Sequence, residues 1–232
     1  MIRAVAADID GTLTDMQRVL NSASVDTMRQ LHALGIVVVL VTGNTHCFTR
    51  AAAVMLGCSH FVAENGGVTS WDDHIEVLAD RQACDQAYLM LHESLGVKKF
   101  DSRYRLTDLV LLRGFDVKAA GQLIRDSGLP VELVDTGFAV HIKNIGLSKG
   151  TGLEHLADAL RIPLSEFAAV GDSESDLSMF ELAGFSAAVA NADPAVKEAA
   201  DYVSAEPFGM GFAEVIRHLS QNGMMGPAKT WS

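Results

Sequence analysis

At 232 residues the chain is long enough for one large α/β domain, or for a core domain with a smaller insert. Its 29 acidic and 18 basic residues leave a formal net charge of -11, which argues against nucleic acid or an anionic membrane surface as the main partner. A small anionic substrate stays compatible with that charge, because a bound divalent cation inverts the local field.

The first apolar run, residues 2–7, carries one arginine and is too short for a signal peptide or a membrane span, so a soluble, cytoplasmic protein is expected. Apolar on both faces, it reads as a central strand of a parallel sheet. Directly behind it stands Asp8-Ile9-Asp10-Gly11-Thr12-Leu13-Thr14, with two carboxylates two positions apart before a glycine turn. Ionised groups crowded there raise each other's pKa and cost free energy unless a cation or a reaction uses them.

Residues 24–34 carry Val25, Met28 and Leu31 at helical spacing, with Gly35 as the stop. Residues 36–41 are six apolar residues, mostly β-branched, and predict a second buried strand. Thr42-Gly43-Asn44 is read as opening a helix that ends near Gly57, and residues 61–63 as a third short strand. This alternation predicts a doubly wound parallel sheet.

The pattern changes between about Asp80 and Asn144. Helices are expected over 84–95 and 116–127, a strand over 109–112, and two further β segments over 131–134 and 138–142. The last two are joined by a hairpin turn at Asp135-Thr136-Gly137. An antiparallel α+β insert of this kind reads as a cap, and the expected division is a core of residues 1–79 and 149–232 with a cap of residues 80–148.

The parallel pattern then resumes, with a helix over 149–160, a strand over 167–170, and short strands over 186–189 and 202–204. Asp193-Pro194 starts the helix between those two strands, and a last helix covers 211–220, with a frayed tail from Asn222. Cys47, Cys58 and Cys84 have no metal-ligand spacing and read as free thiols in a reducing compartment.

Three polar clusters each follow directly on an apolar strand: Asp8/Asp10, Thr42-Gly43-Asn44, and Gly171-Asp172-Ser173-Glu174-Ser175-Asp176. Ligands of open α/β sheets bind outside the carboxyl ends of the strands, so the three clusters are expected on one rim. Carboxylates converging from two strands call for a cation, and oxygen-only ligands call for Mg²⁺ rather than zinc.

These motifs, in this order, resemble the haloacid dehalogenase-like phosphatase superfamily over nearly the whole chain. The Asp8–Thr14 stretch resembles the first motif, Thr42-Gly43 the second, Lys149-Gly150 the third, and Gly171–Asp176 the fourth. Glu64-Asn65-Gly66-Gly67 and Asn191-Ala192 are similar to the branch whose cap lies between the second and third motifs. Within it, the short insert and the Gly43-Asn44 pair are most similar to the archaeal phosphoglycolate phosphatase group. Two positions depart from the common pattern. Asn44 stands where many relatives have arginine or another residue, and Ser175 replaces a frequent asparagine.

The resemblance implies a Rossmann-like core and a Mg²⁺-dependent phosphomonoesterase. Asp8 would be the nucleophile that forms an aspartyl-phosphate, and Asp10 the acid that protonates the departing alkoxide and later the base for water. Asp8, the Asp10 carbonyl and Asp172 would hold the metal, with Asp176 a further ligand or an anchor for metal-bound water. Thr42, Gly43, Asn44 and Lys149 would surround the phosphoryl group. The implied ester is 2-phosphoglycolate. Arg103 or Arg105, with His141, is the expected reader of its carboxylate. Another small phosphate ester, a phosphomutase reaction and a non-catalytic binding module are the alternatives. A monomer or homodimer without nucleic-acid or membrane partners is expected.

Overall fold

The computed structural model describes residues 1–100, 103–135 and 139–226. Its main sheet has eight strands: β1 (Ala4–Asp8), β2 (Val37–Val41), β3 (His60–Ala63), β4 (Val68–Trp71), β5 (His74–Val77), β9 (Phe167–Gly171), β10 (Phe185–Ala188) and β11 (Tyr202–Val203). The spatial order is β11-β10-β9-β1-β2-β3-β4-β5. All pairs from β11 to β3 are parallel, and β4 and β5 extend the edge as an antiparallel hairpin.

The chain runs outward from β1 through β2 and β3, then returns to β1's other side at β9. The order therefore reverses at β1, which creates the crevice where such sheets bind ligands. Register puts Asp8 beside Val41 and Ala7 beside Val170, so the residues that follow β1, β2 and β9 emerge at one rim.

Every residue of β1 is buried, and successive side chains serve opposite faces. Val5 and Ala7 join Leu40, Ala168 and Val170 against α1 (Ser22–Ala33) and α8 (Phe208–Gln221), which contribute Met28, Leu31, Phe212 and Val215. Ala4 and Ala6 join Val39, Val41 and Ala169 on the other face, under Leu153 and Leu156 of α5 (Lys149–Leu160). Helices on both faces are what a sheet without a polar side requires.

Between β5 and α5 the chain builds a separate three-stranded antiparallel sheet from β6 (Leu109–Leu111), β7 (Val131–Asp135) and β8 (Val140–Asn144), ordered β6-β8-β7. Its own core includes Leu109, Ile142, and Ala87 and Leu91 of α3 (Arg81–Leu95), with Ile124 of α4 (Val117–Ser127). The Asn144 side chain ties the entry and exit of this insert together. It accepts from the Asp80 amide at 2.8 Å and donates to the Asp80 carbonyl at 3.2 Å.

The doubly wound core with an α+β insert is thus the architecture expected. Three local expectations differ. The helix after β2, α2 (His46–Leu56), starts at His46 and not at Thr42, because the Thr42 amide still bonds the Val62 carbonyl at 2.9 Å and stays in the sheet. The β4–β5 hairpin escaped the apolar pattern because its strands are four residues long and its turn uses a left-handed Asp72 instead of a glycine. The tail is not frayed up to Gly226: Met224 accepts from Ile2 and Gly226 donates to it, extending the core by one parallel bridge. The expected turn at Thr136 and Gly137 lies outside the described residues.

Candidate active site

The centre of the rim is a buried ion cluster. Lys149, at the first position of α5, donates to Asp8 Oδ1 at 2.7 Å and to Asp176 Oδ1 at 2.6 Å. All three side chains are almost sealed from solvent. Asp8, Asp172 and Asp176 each bring a carboxylate oxygen within 4.8 Å of the others, so three acids face one lysine. Burial drives Asp8 well above the usual carboxylate range; Lys149 opposes this, while Asp176 and Asp172 add to it. Asp172 is pushed up to about 6, by burial first and by Asp176 second. Burial alone would lower Lys149, but Asp176 and Asp8 outweigh it and hold the ammonium charged.

Asp176 also organises its own loop. Its Oδ2 accepts from the amides of Asp172 and Ser173 at 3.0 Å each and from the Ser173 hydroxyl at 3.2 Å. Asp172 Oδ1 accepts from Thr12 at 3.2 Å. Gly11, at φ 83, lies so close that a Cβ there would sit 2.3 Å from Asp172 Oδ2. Only glycine combines that backbone conformation with that approach. Ser175, at the unusual position, bonds the Ser173 hydroxyl at 2.8 Å.

Asp10 lies at the open side of the rim. Asn44 Nδ2 donates to it at 2.6 Å and to the Thr42 hydroxyl at 3.0 Å, which accounts for the asparagine in this chain. Arg18, which the sequence reading did not single out, donates to both Asp10 oxygens from Nε at 2.8 Å and Nη2 at 3.2 Å. It occupies a turn eight residues beyond Asp10, with no periodic signal to mark it.

The insert reaches the rim through a chain of charges. Arg105 donates to the Gly43 carbonyl at 2.7 Å and to Asp108 at 2.7 Å, and Asp108 in turn meets His141 Nδ1 at 2.7 Å. Burial works against the Asp108 charge, yet His141 and Arg105 hold its carboxyl below the ordinary value. Arg103 is exposed on the insert's surface. A cavity of about 260 Å³ opens beside Lys149, bordered by His141, Lys143, Asn65 and Ser175.

The burial of an acid excess supplied only by oxygen donors, with a glycine cradle against one of them, fits a hard divalent cation. Two of the three cysteines are poor nucleophiles, because burial pushes the thiols of Cys58 and Cys84 up to about 12. Among the described residues no helix is long and apolar enough to cross a membrane.

Comparison with known proteins agrees with this geometry. The family described as haloacid dehalogenase-like hydrolase matches residues 5–102 and 133–216. A protein of Methanothrix thermoacetophila named phosphoglycolate phosphatase is 61% identical over 97% of this chain and 100% of its own length. One of that name from Archaeoglobus fulgidus is 44% identical over 94% of this chain and 96% of its own. The fold is shared with the crystal structure of Thermoplasma acidophilum 0175, at a TM-score of 0.86 and 24% identity, covering 95% of this chain and 99% of that one.

Proposed function

The chain belongs to the haloacid dehalogenase-like hydrolase family, and from that premise we propose that it is a phosphoglycolate phosphatase, releasing glycolate and phosphate from 2-phosphoglycolate. The observation that carries this reading is full-length 61% identity to a phosphoglycolate phosphatase, combined with a buried Asp8 held by Lys149 at the sheet's switch point.

Asp8 attacks phosphorus, breaking the bond to the ester oxygen and forming an aspartyl-phosphate. Lys149 and Thr42 hold the phosphoryl oxygens, and Lys149 keeps Asp8 aimed while opposing the burial that disfavours its charge. Asp10 gives its proton to the departing glycolate oxygen and then takes one from the water that hydrolyses the intermediate. Asn44, bonded to both Asp10 and Thr42, sets the distance between acid and phosphoryl site.

Asp8, the Asp10 carbonyl and Asp172 would hold Mg²⁺, which when bound neutralises charge developing on the phosphoryl oxygens. Asp176 has both oxygens engaged by Lys149 and backbone amides, which supports its role as the anchor of this set. In this reading residues 1–79 and 149–232 are the catalytic core, and residues 80–148 are the cap that restricts the space above Asp8. His141 borders that space, whereas Arg105 ties the cap to the Gly43 carbonyl.

A panel of phosphate esters assayed with and without Mg²⁺ tests the proposal. Metal-dependent phosphate release led by 2-phosphoglycolate is expected. A better sugar-phosphate or nucleotide substrate would overturn the substrate, and isomer formation without phosphate release would overturn hydrolysis.

A further inference from the structure

Arg18 sits at the tip of a short turn closed by the Thr14–Leu20 bridge, on the solvent side of Asp10. Asp15 builds the turn: its Oδ1 accepts from the Gln17 and Val19 amides at 2.9 Å, and its carbonyl accepts from the Arg18 amide at 2.9 Å. The backbone of Arg18 itself lies at φ 63, a left-handed conformation that a non-glycine residue adopts at a cost. A strained residue held by this many bonds beside a reacting group invites a functional account.

Its guanidinium is engaged on one side only. Nε and Nη2 bond Asp10, and Nη2 also donates to Asn44 Oδ1 at 2.7 Å. Three of the five N–H donors of an arginine are thus used, and the Nη1 pair has no protein acceptor among the described residues. The side chain is 60% exposed, while the Arg105 side chain is 13% exposed and bridges core to insert.

Asp10 must stand within hydrogen-bond reach of the leaving oxygen. In 2-phosphoglycolate the carboxylate is one carbon away from that oxygen. A guanidinium bound to Asp10 is therefore next to the place where this carboxylate arrives. Resting on the phosphoglycolate reading above, we infer that Arg18 is the specificity-determining residue that binds the leaving group's carboxylate through Nη1 while holding Asp10 through its other donors. One planar fork then measures the spacing between acid and carboxylate. Esters with a carboxylate on the adjacent carbon satisfy both ends; neutral esters leave one end empty.

The test compares 2-phosphoglycolate with 2-hydroxyethyl phosphate, a neutral ester of similar size, in the full-length protein with Mg²⁺. Wild-type protein, Arg18→Gln and Arg18→Lys are assayed for KM and kcat separately. Loss of the Asp10 contact acts on the kcat of both esters alike, so the ratio of their kcat/KM values isolates carboxylate reading. In Arg18→Gln that ratio is expected to fall about 10- to 100-fold, mainly through the KM of phosphoglycolate, as loss of a charge-assisted contact predicts. Arg18→Lys should recover part of it. An unchanged ratio in Arg18→Gln overturns the inference and leaves the phosphoglycolate reading intact. A wild-type protein with no preference for the carboxylate ester overturns both.

Discussion

Glu64 and Thr107 meet twice: the buried Oε2 of Glu64 accepts both the amide of Thr107, at 2.9 Å, and its hydroxyl, at 2.8 Å. The same oxygen accepts from the Leu106 amide, and Oε1 accepts from the His46 amide at 3.1 Å. One carboxylate from the turn after β3 thereby fastens the insert to the helix that follows Thr42. Glu64→Gln should destabilise the protein, because the amide nitrogen must face an N–H donor on one side or the other. About 1–3 kcal/mol is expected for that mismatch. Chemical denaturation with limited proteolysis at the junction checks it, and an unaltered midpoint would contradict the fastening role.

Asp8→Asn should abolish turnover and phosphoenzyme trapping without loss of the fold, since the amide keeps the volume of the side chain. Asp10→Asn should slow turnover most for esters with poor leaving groups. Rates that ignore leaving-group pKa in that variant would remove Asp10 from the acid role.

Lys149→Met should cost both activity and stability. It leaves Asp8 and Asp176 buried without their cation, and breaking a buried pair from one side typically costs about 3–5 kcal/mol. A urea titration of the purified variant reads this directly; wild-type stability would show that water replaces the ammonium.

The metal-free protein should lose stability as pH rises from about 4 to 6. Asp172 ordinarily titrates at 3.8 and is pushed up to about 6 in the fold, so across that interval the unfolded chain releases a proton that the folded one retains. Below the window both states are protonated, and above it both are ionised with the full penalty present. Mg²⁺ should offset the penalty, so its stabilising shift in melting temperature should be larger at pH 7 than at pH 5. Equal shifts at the two pH values would place the cation elsewhere.

Much of this site is written in local sequence. The burial of β1, β2 and β9 follows from uninterrupted apolar runs, and each polar motif begins where its run ends, so a common rim could be foreseen. Lys149 was legible through a different signal, the resemblance of Lys149-Gly150 to the third motif of the family. Arg18 and Glu64 were not marked as site residues, because neither belongs to a periodic element; their roles depend on turns held at positive φ.

The sequence by itself determined the class of fold and which side chains arrive at the rim, since strand burial and helix spacing are short-range properties of the chain. The tertiary structure alone decided how those side chains divide their work. Lys149 is shared by Asp8 and Asp176 across 141 and 27 residues, and Arg105 closes on Gly43 across 62. Such pairs arise only when packed elements bring distant segments within bonding distance in a low-dielectric interior, where each buried charge must find its partner.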